Sequence, residues 1–209
     1  RITRSGTLVG PGTKRKFRPG ILGPGIKSSR SEMIEAAERS VSKISYSTCI
    51  VQQVAPLMTA VALAVHLLGA VVWVGGMFAI YVCLRPALGA LEPPQRLRLM
   101  RVTFQKFFPW VWLAILLLLA SGYWMLVTTF GGFAGARLYI HLMQMIGWLM
   151  IALFVWLFHG PWLAFKRVVD VEDWPSASAT LNRIRQIIAV NLPLGLLVVV
   201  IGGSGRYWG

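Results

Sequence analysis

Four stretches of this chain contain almost no charged residues: Leu57 to Leu84, Phe108 to Thr129, Leu138 to Phe165 and Ile187 to Gly203. Each approaches the roughly 20 residues that an α-helix needs to cross the hydrocarbon of a bilayer, the last being the shortest. A backbone in lipid must satisfy its own hydrogen bonds, and these runs do not resemble the shorter alternating strands of a closed barrel. They are expected to be helices. Composition agrees, because 56% hydrophobic residues against 13% charged exceeds the globular norm. The expected fold is all-α, an integral membrane four-helix bundle whose first partner is the lipid bilayer.

Basic residues suggest its orientation. The connection after the first run holds Arg85, Arg96, Arg98, Arg101 and Lys106, and the third holds Lys166, Arg167, Arg183 and Arg185. The second connection offers only Arg137 and the C-terminus only Arg206. The positive-inside rule then predicts cytoplasmic first and third connections, with both ends of the four-helix core outside. Tyr123 and Trp124, like Tyr207 and Trp208, fall where an interfacial aromatic belt would sit.

Residues 1–57 read differently. They carry ten Lys or Arg against Glu32, Glu35 and Glu38, in text rich in Gly and Pro, and are expected to be a disordered basic extension. Such a tail resists export, and it lacks the pattern of a signal peptide. Three readings of the extension stand: a cytoplasmic extension that inverts this topology, a disordered exported arm, or upstream sequence, the last favoured because the chain begins with Arg1 and Met58 stands at the head of the first run; 58–209 is the expected transmembrane domain. That domain has eleven basic and four acidic residues, a balance explained by orientation and anionic lipid without nucleic acid. Cys49 and Cys83 offer no disulfide framework.

The core contains a repeat. His66-Leu67, Trp73 and Pro86 are matched at identical spacings by His141-Leu142, Trp148 and Pro161, and Leu88 by Leu163. Ser121-Gly122-Tyr123-Trp124 resembles Ser204-Gly205-Arg206-Tyr207-Trp208. The bundle is therefore expected to be two parallel two-helix repeats, with His66 and His141 at equivalent depths.

An ionisable side chain inside a membrane helix normally faces the bundle interior and carries function. His66, Gly69, Trp73 and Gly76 share one helical face, and His141, Gln144 or Met145, and Trp148 share another. Faced together in the outer half of the membrane, His66 and His141 would form a paired site for one metal ion or haem iron, with Trp73, Met77, Met145 and Trp148 in support. The alternatives are histidines that only satisfy core hydrogen bonds, or a proton relay. Arg137 and Arg206 are the candidate partners for haem propionates. His159, near Pro161, reads as a helix cap or interfacial residue.

The text from His66 to Met77, with Trp73, Gly75 and Gly76 inside it and Arg85-Pro86 closing the helix, resembles the opening helix of the copper resistance protein D family. The four-helix plan from Met58 to Trp208 is similar as well. More distantly it is similar to the HemJ-type protoporphyrinogen oxidases, although no lysine lies between Arg137 and Phe165 to match that family's third-helix lysine. The first resemblance implies a bacterial inner-membrane location and copper handling or import, with a periplasmic copper protein or a second copy as partner. The second implies haem b and a membrane redox protein.

Copper, haem b, and a cofactor-free accessory subunit thus stand as the three readings. Imidazole and thioether donors suit copper. No Gly-rich phosphate loop, His-Glu-x-x-His motif or Gly-x-Ser-x-Gly elbow is present. The core acids Glu92, Asp170, Glu172 and Asp173 all lie in connections, so the chain leans away from being an enzyme.

Overall fold

The computed structural model describes residues 24–208, with side chains over 30–46 and 54–208. The chain divides into two units, Arg1–Gln52 and Gln53–Gly209. In the first, helix is present from Pro24, within Pro24–Ala70, which corrects the expectation of disorder through residue 57. Glu32, Glu35, Ala36, Ala37 and Glu38 are adequate helix formers, and Arg39 Nη2 lies 2.8 Å from Glu35 Oε2 one turn away. Six of the ten basic residues of the extension precede Pro24 and lie outside the described residues.

The second unit is the expected four-helix membrane bundle: α1 (Val54–Ala90), α2 (Pro93–Phe130), α3 (Leu138–Asp170) and α4 (Trp174–Tyr207) are each long and apolar enough to span. The helices run past the apolar stretches because their polar ends are amphipathic. In the first turns of α2, Leu97, Met100 and Phe104 are buried while Leu99 and Val102 point outward, so this amphipathic segment is part of α2 itself. Gly131, at φ +67°, ends α2 in the left-handed conformation that glycine adopts without strain.

Proline and π-helical turns shape α1 and α3. Val71–Gly75 and Ala79–Leu84 are π-helical in α1, the second ending just before Arg85-Pro86, and Phe158–Trp162 in α3 contains Pro161. A proline lacks the N–H of the normal ladder and crowds the carbonyl four residues back, and a π turn accommodates both. The two halves thus share a π turn at or just before their matched prolines. They do not share burial: Trp73 and Leu88 are in the core, Trp148 is exposed and Leu163 only half-buried.

Aromatic rings fill the core. Phe108 stacks on Phe104 at 5.2 Å and meets Trp162, Phe154 and Phe158 edge-on at 5.1, 5.6 and 6.1 Å, geometries favoured by the ring quadrupole. Phe154 also receives Trp73 of α1 and Trp112 of α2. α3 packs along α4, while α1 lies against α2 and α4.

The first and third connections meet at one end of the bundle, called here the arginine-rich end. Arg98 pairs with Glu172, Arg101 Nη2 is 2.7 Å from Asp170 Oδ1, and the Arg98 guanidinium lies 5.2 Å over the Trp174 ring. Asp173 caps α4, its Oδ1 accepting from the Ser176 N–H at 3.1 Å. Hydrogen bonds from the Ser176 side chain and backbone hold the Asp173 carboxyl below its ordinary range. The folded state therefore favours the charged form, so the cap contributes above the ordinary carboxyl pKa and is lost as pH falls through the lowered value. Asp173→Asn, which keeps an acceptor, should flatten the acid limb of a stability-against-pH curve of the full chain; an unchanged limb would assign that limb to other groups.

Candidate functional site

Ser121 sits on the inner face of α2, and its hydroxyl donates to the Leu117 carbonyl at 2.5 Å. A hydroxyl has one proton, so toward the His66 Nδ1, 3.0 Å away, it acts as acceptor. In the tautomer that this contact suits, with the proton on Nδ1, the lone pair lies on Nε2. This is the arrangement of a metal-ligating histidine, in which the second nitrogen donates to a fixed oxygen that sets tautomer and ring orientation. Gly122 makes room for the ring: a Cβ there would stand 3.2 Å from His66 Cε1. His66 itself is half-buried.

The face of α1 that carries His66, Gly69 and Gly76 was expected to meet the His141 face of α3, yet its glycines do not receive that helix. They receive α2 instead: a Cβ on Gly69 would meet Leu118 at 3.1 Å, and one on Gly76 would fall within 2.6 Å of the Phe107 ring. Of the α1 face, only Trp73 turns toward α3, edge-on to Phe154 at 6.2 Å. The opposite face of α2 holds α3. Gln144 Nε2 and Trp148 Nε1 donate to the Tyr123 hydroxyl at 2.6 and 3.3 Å. Ser121 and Tyr123 are two residues apart, about 200° around a helix, so α2 stands between His66 and the Gln144/Trp148 face.

His141 accordingly has different neighbours. It is exposed, stacked 6.5 Å from Phe133, and Met145 and Trp148 on its face are exposed as well. The expectation that both histidine faces turn to the bundle axis is corrected for α3, whose buried stripe is Met150, Phe154 and Leu157. Arg137 and Arg206 are brought together, Arg137 Nη1 lying 3.4 Å from the Arg206 carbonyl. His159 Nδ1 donates to the Val155 carbonyl of its own helix at 3.0 Å. Among the described residues, no group of three His, Cys, Asp or Glu could hold a metal ion.

One interior polar position escaped the sequence reading. Asn191 of α4 is 3% exposed; its Nδ2 donates to Met77 Sδ at 3.8 Å, and its Oδ1 has no hydrogen-bond partner. It borders a cavity of about 10 Å³ lined also by Trp73, Met77, Phe108 and Phe154, room for one small atom or ion. The signal was available: an amide within a membrane helix, inside the run Ile187 to Gly203, is nearly as selective a mark as an ionisable group. A larger groove of about 510 Å³ lies between α3 and α4, lined by Trp156, Pro161, Thr180 and Arg183 among others. Neither hollow includes His66 or His141, and the small one is far below the size of a porphyrin.

Four apolar spans closed around an aromatic core define an integral membrane helical bundle. Residues 101–204 match the family model described as Copper resistance protein D, and the chain belongs with this CopD-like family. The match runs from the first turns of α2 to Ser204 and so includes Ser121, His141 and Asn191, while His66, Trp73 and Met77 precede it. Comparison with curated proteins and with solved structures returned no match.

Proposed function

We propose that this protein handles copper at the bacterial inner membrane, with His66 as the principal donor and the ion entering from the outer side. The observation that carries the proposal is the Ser121–His66 pair, which leaves an oriented imidazole lone pair on the inner wall of a membrane bundle. The CopD match supports copper as the ion. Thioether and imidazole are donors that Cu(I) accepts readily, and Met77, on the helix that bears His66, extends the donor set toward Asn191. His141, exposed at the same end as Tyr123, is assigned the outer receiving position, where a periplasmic copper protein would deliver; in this reading the two histidines act in succession.

The test is Cu(I) titration of the full chain in nanodiscs under reductant, against a coloured competing chelator. His66→Ala should remove the tightest site, and Ser121→Ala, which frees the ring to turn, should weaken it by about tenfold or more. Replacing His159, whose ring serves its own helix, should change nothing. Equal affinity in wild type, His66→Ala and Ser121→Ala would overturn the proposal, and a Soret band in the protein as purified would turn the reading to haem.

A further inference from the structure

His66 and Met77 lie on the same helix but cannot hold one ion between them. Eleven residues separate them, on the order of 15 Å along a helix, so a donor at Met77 serves a second position. There its Sδ receives Asn191 Nδ2 of α4 at 3.8 Å. Both side chains are 3% exposed, and both border the hollow of about 10 Å³. Asn191 Oδ1 is buried with no hydrogen-bond partner, an expense inside a membrane span that an apolar side chain would avoid.

Water barely fits the volume and does not suit the walls. A buried water makes about three hydrogen bonds, whereas beyond the amide and the thioether the lining is Trp73, Phe107, Phe108, Phe154 and aliphatic side chains. A divalent ion suits it no better, because no carboxylate lines the hollow to offset the charge. A soft monovalent cation meets what is present: a thioether, an amide oxygen and aromatic rings, Trp being the strongest cation–π partner. The two ends of an amide are nearly equal in size, so a half-turn about Cβ–Cγ puts Oδ1 in the place of Nδ2, opposite Met77 Sδ. Sulfur and oxygen lone pairs then reach one ion.

We propose that Met77 Sδ and Asn191 Oδ1 form a second, interior Cu(I) site between α1 and α4, in the hollow lined by Trp73, Phe107, Phe108 and Phe154. The site rests on the copper reading for the identity of the cargo, though not on His66 as a donor. Two neutral donors without a counter-charge make it weaker than the imidazole site, which suits a position that an ion passes through. The same donor pair sets selectivity: it admits Cu(I) and refuses Zn(II), which lacks both a third strong donor and a compensating charge there.

The experiment titrates Cu(I), under reductant and against a competing chelator, into the full chain in nanodiscs carrying both His66→Ala and His141→Ala. This double variant should still bind one Cu(I), with sulfur in its X-ray absorption spectrum, and Zn(II) should not displace it. Adding Met77→Leu or Asn191→Leu, each near in volume to the residue replaced, should weaken that binding by about tenfold or more. Adding Met145→Leu, which removes an exposed thioether, should leave it unchanged. The proposal is overturned if the double variant binds no Cu(I), if Zn(II) displaces it, if either Met77→Leu or Asn191→Leu has no effect, or if Met145→Leu has the same effect. His66→Ala alone separates this failure from that of the copper reading. Loss of the tightest site, with no copper left in the double variant, keeps the reading and removes the interior site; tight binding unchanged by His66→Ala but lost on Met77→Leu does the reverse. Should the double variant fail to fold, loss of the weaker equivalent from the otherwise wild-type chain on Met77→Leu carries the comparison, and its retention overturns the proposal.

Discussion

Phe108→Ala is expected to lower the unfolding free energy of the bundle by about 3 kcal/mol. The ring is 3% exposed and touches Phe104, Phe154, Phe158 and Trp162 within 6.1 Å. Removing it opens a cavity between α2 and α3 that rigid aromatic neighbours cannot close. The value sits at the low end for an aromatic truncation because lipid is as apolar as the protein interior, so lost packing dominates over transfer from water. Reversible unfolding of the full chain in mixed micelles measures it. Trp110→Ala, two residues on and facing outward, should change stability by less than about 0.5 kcal/mol. Equal losses in the two variants would show that the aromatic cluster is not what joins the helices.

Asn191→Asp should be comparably damaging, at about 3 kcal/mol. The side chain is surrounded by Trp73, Met77, Phe108 and Phe154, with no cation to compensate a carboxylate. Asn191→Leu tests the same position from the other side. It removes an oxygen that has no partner, and replacing an unsatisfied group by an apolar one of similar size is neutral or stabilising, here by up to about 1 kcal/mol. A large loss on Asn191→Leu would mean that the amide is structural. Stability kept together with weakened copper binding would tie the amide to the ion.

The spans were legible in the sequence because lipid imposes one rule on every residue it touches: runs such as Leu57 to Leu84 admit only a helix. Their ends were less so. Arg96, Arg98 and Arg101 read as a polar connection, yet Leu97, Met100 and Phe104 keep a core face through them, and α2 begins at Pro93. Helix neighbours were not legible at all. The glycines Gly69 and Gly76 announce a close approach but do not say to which helix, and they met α2. Sequence likeness also failed to predict environment: Trp73 and Trp148 occupy matched positions, but one anchors the core and the other hydrogen-bonds Tyr123 at the surface. His66 could be singled out by type alone, whereas the orientation of its ring depends on Ser121, 55 positions away.

The π turns of α1 lie between His66 and Arg85, and they bear on how such a helix tolerates change in length. A π turn holds one residue more than the α turn it replaces, so Val71–Gly75 stores a spare residue between the imidazole and Met77. Deleting that residue would restore a regular helix with both sides in phase, whereas relaxing the π turn to α-helix with the residue kept would swing everything on one side by about 100° relative to the other. His66 would leave Ser121, or Met77 would leave Asn191, while the span remained intact. The angular relation between the His66 imidazole and the Met77 thioether is thus a setting separable from the bundle's stability, and a change there would alter what the interior offers an ion without altering the protein's fit to its membrane.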